Sequence, residues 1–327
     1  MNVAFFVRHF TERGTEVAIY DYAKYNEEIL HNKSFIVCFT PEAQKRHRFP
    51  SERCSFEHFR CRFPMIEIHD MHEMTYLIQL HNFSFFYTLT GGGSSDIYDF
   101  HDKALWGPCK TIKHCVFETR YPEADFHISI SETLNQKNRT DLLVIPHIGG
   151  LPQTEDDLRE ELSIPKDAVV FGRHGAADEF NISFVHDVIR DHLERDREVY
   201  FLFLNTDVFY VHPRIVYLKR TVDPVYKAKF VNSCDAMIHA RQIGETFGLS
   251  VAEFSCKNKP VITCRCGDTE HLKILGDMAV VYQNREQLAD IFANIKTILA
   301  SRTIWNAYKL YTPEYVMNLF QTHIFRT

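Results

Sequence analysis

Short runs of apolar residues alternate with longer stretches of helical periodicity along almost the whole chain. The runs at 3–7, 34–39, 66–69, 85–89, 113–118, 127–129 and 142–145 read as strands buried on both faces. A helix is expected after Gly14, with Thr15 as its N-cap and Glu16 in the first turn. Val17, Ile19 or Tyr20, Ala23 and Ile29 would face the sheet. The stretch 145–152, rich in Gly and Pro, reads as a linker. A charged helix over 154–162 follows, and then the alternation restarts. Strands are expected at 168–171, 198–204, 215–218, 236–239, 260–263 and 278–281, and helices at 184–195, 224–232, 249–256 and 285–300. A final amphipathic helix over 313–325 has Tyr315, Val316, Leu319, Phe320 and Ile324 on its apolar face. The order predicts an α/β chain of two Rossmann-like, doubly wound domains, 1–150 and 151–311, with 312–327 returning to the first. The run Gly91-Gly-Gly-Ser-Ser95 marks a turn at a strand's C-terminal end, where such folds carry ligand-binding loops.

Length supports that division, since 327 residues exceed what one core usually organises. A net charge of −6 without any long Lys/Arg run argues against nucleic acid and anionic membranes as partners. No apolar stretch is long enough to span a membrane, and the start of the chain reads as a buried strand rather than a secretion signal. Nine cysteines without a CxxC pair suit a reducing compartment, so the cytoplasm is the expected location.

Residues 238–253 hold the strongest chemical pattern. A strand ends at His239, a loop follows, and a helix opens near Phe247-Gly248. Glu245 lies at its mouth and Glu253 about a turn and a half inside. The amides of Phe247, Gly248 and Leu249 at that helix start suit an anion, and Gly248 lets one approach closely. Thr246 borders the same turn. A diphosphate on the amides and hydroxyls on the two carboxylates fit this pattern better than solvated helix caps do.

Gly-Glu-Thr-Phe-Gly-Leu at 244–249, with a second Glu eight positions after the first and then Lys-Pro-Val-Ile at 259–262, resembles the E-x7-E motif of retaining GT-B glycosyltransferases of family 4. The resemblance implies that Glu245 lies by the donor sugar and is catalytic, while Glu253 binds the ribose. Gly172-Arg173 resembles the family's G-R-x-x-x-x-K-G element, which makes Arg173 a second catalytic candidate and Gly172 part of the donor site. Asp178 stands at the lysine position, and Arg241 is the expected replacement cation. Gly14 fills the place of the family's first glycine loop, near the donor phosphates. His69, Asp70 and His72 resemble its strand-end His-x-His and are acceptor-side or structural candidates. No His occupies the position near 90 where some relatives carry one.

The resemblance implies two domains facing a cleft. It also implies hexose transfer from a nucleoside-diphosphate sugar, with a lean to GDP-mannose, onto a glycan hydroxyl. Retention is expected, with no metal and no cofactor. A homodimer is compatible with it, though no residue specifies one. In style the chain is similar to glycosyltransferases of large algal viruses, which would place it in a host-cell cytoplasm. Two rival readings share the fold: a non-hydrolysing sugar-nucleotide epimerase, and a catalytically degenerate sugar-nucleotide-binding module. Absent Asp-x-Asp, P-loop and G-x-G-x-x-G patterns weigh against metal-dependent transferases, P-loop NTPases and standard NAD folds.

Overall fold

The computed structural model describes residues 1–49, 51–93 and 98–326. The chain divides into two compact units, Met1–Ile148 with Thr312–Thr327, and Gly149–Tyr311. The first is built on seven parallel strands: β1 (Asn2–Val7), β2 (Lys33–Phe39), β3 (Met65–Ile68), β4 (Phe83–Thr90), β5 (Lys110–Cys115), β6 (Phe126–Ser129) and β7 (Leu143–Val144). Their order is β3-β2-β1-β4-β5-β6-β7, so the sequence direction reverses between β1 and β4. Nearly every residue of β1, β2 and β4 is buried, as expected for central strands covered by helices on both faces.

Aromatic side chains fill much of this core. Phe6 meets Phe39, Phe86 and Tyr98, and Trp106 packs on Phe86 and Phe100. The C-terminal segment returns here, where Phe320 touches Tyr22 and Tyr87, and Phe325 touches Phe85. The helix Pro313–Phe320 runs on into a π-helical turn, Gln321–Phe325, which rotates the buried set to Val316, Met317, Phe320, Ile324 and Phe325. Tyr315, expected on the buried face, is exposed.

The second unit holds β8 (Val169–His174), β9 (Val199–Leu204), β10 (Ile215–Leu218), β11 (Ala236–His239), β12 (Gly244–Glu245), β13 (Val261–Cys264), β14 (Asp268–Thr269) and β15 (Ala279–Tyr282). Six of them form a parallel sheet in the order β10-β9-β8-β11-β13-β15. Its direction reverses between β8 and β11, and β12 pairs with β14 as a separate two-stranded ribbon. In open α/β sheets, the crevice beyond the strand ends at such a reversal is the usual ligand position.

Several local expectations are corrected. The charged segment at 154–162 forms turns, because its polar groups find other partners. Thr154 Oγ1 accepts from Asp156 N, Asp157 accepts from Arg159 N, and Ser233 Oγ accepts from Leu158 N. Asn232 also donates to the carbonyls of Thr154 and Asp156. These bonds replace the helical ladder. The helix Gly14–Glu28 is preceded by Arg13 as N-cap with no side-chain cap, and Thr15 donates to Glu16 instead. Its buried face is Glu16, Ala18, Ile19, Tyr22, Ala23 and Asn26, two of them polar, and it shares Ile19 and Ala23 with the expected one. β5 lies three residues earlier than expected, and the helix expected over 285–300 breaks at Asn294 into Arg285–Ala293 and Ile295–Ala300. Of the glycine-serine turn, Ser94 and Ser95 lie outside the described residues. Gly92 has φ +90°, and a Cβ there would meet the Glu118 carbonyl oxygen at 1.8 Å.

Buried histidines give the fold a pH dependence. Burial pushes His147 and His271 down to about 3 and His114 well below its ordinary value. Each therefore binds a proton in the unfolded chain before it does so in the folded one. Stability is full above about pH 6.5 and falls as the pH drops toward the folded-state values, by about 1.4 kcal/mol per unit per group. Glu16, raised by burial to about 7, acts in the opposite sense, losing its contribution as the pH rises from its unfolded value toward 7. The histidines outnumber it, so urea midpoints should be lower at pH 5 than at pH 7.5. An unchanged midpoint would contradict neutral burial of these rings.

Candidate active site

At the β8/β11 reversal and the following helix, polar groups gather around Glu245, Glu253 and Arg173. The helix Leu249–Cys256 starts on Gly248, whose φ of +85° excludes most side chains. A Cβ there would stand 3.3 Å from Glu245 Cβ and Cγ. Because Gly248 is the cap, the first-turn amides are those of Leu249, Ser250 and Val251, which is one correction to the expected set. Phe247 is buried, its ring against Tyr308 and Tyr311, and its carbonyl accepts from the Tyr308 hydroxyl at 2.7 Å. Thr246 is buried beside it.

Glu245, at the end of β12, is held from two sides. His239 Nε2 lies 3.1 Å from one oxygen and Arg241 donates to the other at 3.0 Å. Burial works against its charge, but His239 and Arg241 outweigh it and hold the carboxyl below its usual range. Arg241 also donates to Glu179 at 2.7 Å and to the Gly244 carbonyl at 2.8 Å. Its charge is thus shared between two carboxylates.

Glu253, only 4% exposed, lies one helix turn further in. Lys227, from the helix Pro224–Asn232, donates to Oε1 at 2.7 Å, and His174 Nε2, at the end of β8, lies 2.7 Å from Oε2. Burial raises this carboxyl, yet Lys227 and then His174 more than reverse the effect and bring it down to about 2. Burial pushes His174 itself down despite Glu253.

Arg173 points its guanidinium into the loops after β8 and β9. It donates to the carbonyls of Ala176 and Asn205 and to Thr206 Oγ1. Burial lowers it to about 10. Gly172 serves packing, since a Cβ would meet Cys234 Sγ at 2.3 Å and Phe254 Cζ at 2.9 Å. Asp178 is exposed in a short 3-10 turn.

In the first unit the candidates are dispersed. Gly14 is the exposed first residue of its helix. Asp70 caps the turn Met71–Glu73, accepting from His72 N, while Glu73 accepts from the amides of His69 and Asp70. His69 Nδ1 lies 3.1 Å from Thr40 Oγ1, and both His69 and His72 are exposed.

Thus Glu245, Arg241, Thr246, Phe247, Gly248, Leu249 and Glu253 surround one helix N-terminus, with Arg173 at the neighbouring strand end. In the other unit His69, Asp70 and His72 follow the end of β3, and Gly14 opens the first helix. Pattern reading missed Lys227, His174, Glu179, His239, Thr263 and His271. His174 directly follows Arg173, and His239 lies six residues before Glu245 in the same pattern; Lys227 reaches Glu253 from another helix, Glu179 meets Arg241, and Thr263 and His271 lie behind His239.

The chain matches solved structures over almost its full length. Anabaena HepE, in complex with UDP-glucose, is 15% identical with a TM-score of 0.64, over 98% of this chain and 97% of that one. A glycosyltransferase from Rickettsia africae has the same identity and TM-score, over 98% and 94%. A candidate UDP-N-acetylglucosamine 2-epimerase from Listeria monocytogenes is 12% identical with a TM-score of 0.61, over 97% and 94%. No protein-family model and no curated protein matches the sequence. The fold is therefore GT-B, two parallel-sheet α/β units of Rossmann-like order. Among the described residues no helix is long and apolar enough to cross a membrane.

Proposed function

We propose that the chain is a glycosyltransferase of the family 4 kind that moves a hexose from a nucleoside-diphosphate sugar to a glycan hydroxyl, with retention and without a metal. One observation carries the reading: Glu245 and Glu253, both kept ionised, flank the N-terminus of the helix Leu249–Cys256 at the sheet reversal. Carboxylates accept from sugar hydroxyls, and helix-start amides favour a diphosphate whose charge grows in the transition state. Residues 151–311 would bind the donor, with 1–150 and 312–327 on the acceptor side.

Roles follow from surroundings. Glu245 faces the donor sugar. Arg173 shapes the phosphate-side loops through their carbonyls, and Glu253 meets the ribose after sharing or exchanging Lys227. The likeness to HepE with UDP-glucose makes a UDP-hexose the first donor to test, ahead of GDP-mannose, for which no residue speaks.

A second reading, sugar-nucleotide epimerisation, is favoured by the likeness to the Listeria protein. The engagement of Glu253 by Lys227 and His174 is what favours a third, a degenerate binding module. Incubation with UDP-glucose, UDP-galactose, UDP-N-acetylglucosamine or GDP-mannose, with and without a glycan acceptor panel, separates the three. Acceptor-dependent release of nucleoside diphosphate supports transfer. An epimerised sugar formed without acceptor would replace it with the second reading, and binding without turnover with the third.

A further inference from the structure

Behind Glu245 runs a line of buried polar groups that the proposed reaction does not itself require. His239 Nδ1 lies 2.9 Å from Thr263 Oγ1, which lies 3.0 Å from His271 Nε2. His239 is almost fully buried, and Thr263 and His271 are fully buried. The two rings sit 5.1 Å apart, on β11 and on the helix Glu270–Leu275.

Hydrogen-bond accounting assigns a direction to this line. Ionised Glu245 only accepts, so His239 Nε2 must carry the proton between them. In a neutral ring Nδ1 is then bare and accepts from the Thr263 hydroxyl. That hydroxyl oxygen in turn accepts from His271 Nε2–H. The line ends at His271 Nδ1, a bare lone pair that is buried without a hydrogen-bond partner. Reversing it would place an N–H at that position, and an unpaired buried donor is costly. With His239 neutral, the two ends select one arrangement: an acceptor at Glu245, and a dead end at His271 that disfavours the opposite polarity.

We propose that His239, Thr263 and His271 form a one-directional hydrogen-bond relay that fixes the orientation of Glu245, with His239 as a positioning residue for glycosyl transfer. This rests on the proposed function for its catalytic meaning but not for its geometry. Arg241 donates to the other oxygen, so the carboxylate is held from both sides. Selection for sugar hydroxyls, which donate, over anionic groups follows from a carboxylate that the relay keeps as an acceptor.

Two measurements test it. The 15N-edited imidazole spectra of the whole chain should show both His239 and His271 protonated on Nε2 and bare on Nδ1. An Nδ1–H form of either ring overturns the relay, whatever the enzyme does. Thr263→Val removes the central hydroxyl and should lower kcat tenfold or more, with the donor KM within about twofold. Thr263→Ser, which keeps the hydroxyl, should restore most of it. A folded Thr263→Val variant with unchanged kcat overturns the positioning role. If instead the unaltered chain transfers no sugar while both rings show the predicted tautomer, the functional reading fails and the relay stands.

Discussion

Replacing Glu253 by alanine should lower the melting temperature of the second unit by roughly 10 °C. Removing one partner of a buried ion pair costs about 3–5 kcal/mol, and a domain of this size loses about 2–4 °C per kcal/mol. The reason lies in what the carboxylate leaves behind. Lys227, mostly buried, would keep its charge without a counter-ion, and His174 would lose the group beside Nε2. Scanning calorimetry or thermal circular dichroism reads the change directly. The double replacement Glu253→Gln with Lys227→Met should recover most of the loss, because it removes both charges while keeping the volume filled. A single variant that melts within about 2 °C of the unaltered chain would show that the pair contributes as little as an exposed one.

Gly244→Ala should be, with Gly267→Ala, the most damaging of the single-methyl additions around the site. Gly244 has φ +67°, and its added Cβ would stand 2.1 Å from the Asp268 carbonyl oxygen and 2.5 Å from Asp268 N. Both obstacles are backbone, so no side chain can swing aside. The β12–β14 ribbon must open, and Glu245, the next residue, moves with it. Left-handed strain of about 1–2 kcal/mol adds to overpacking of about 1–3 kcal/mol. Gly267→Ala, with a Cβ 2.0 Å from Ile243 C, should behave alike. Gly107→Ala is the control: its φ is +52° but nothing lies within 4 Å of the added carbon, so only the strain applies. Thermal unfolding and donor consumption measured together check this. Equal effects at 244 and 107 would mean the ribbon is not as tightly closed as described.

Much of the architecture was legible because central parallel strands are apolar without interruption. Runs such as 34–39 and 236–239 announce themselves, and two doubly wound units follow from their order. Legibility failed where polar residues are buried or where apolar spacing was mimicked. Glu16 and Asn26 on the inner face of the first long helix break its stripe, and the segment 154–162 has helical composition but spends its amides on Ser233 and on neighbouring side chains. At the candidate site the two carboxylates and Gly248 were readable because they share one strand–loop–helix. Of their cations, Arg241 was legible and Lys227 was not. Lys227 precedes Glu253 by 26 positions on another helix, and His271 comes to His239 from 32 residues further along the chain. Arg173 was found by its place after Gly172, but the sequence could not show that its guanidinium turns into the loop carbonyls.

The capping box at Asp70–Glu73 is a different case. Asp70-Met-His-Glu73 carries the spacing of a helix start, and the structure uses it as one. Residues 69–73 thus carry both a cap and two exposed histidines.

The central claim, that the helix start between Glu245 and Glu253 binds a nucleoside-diphosphate sugar, is tested most directly by calorimetric titration of the whole chain. UDP-glucose, UDP-galactose, UDP-N-acetylglucosamine and GDP-mannose are titrated without metal and again on Glu253→Gln and Glu245→Gln. The account predicts saturable one-site binding of one donor class, weakened in both folded variants. Heat that does not saturate for any of the four, or binding equally tight in both variants, would contradict it.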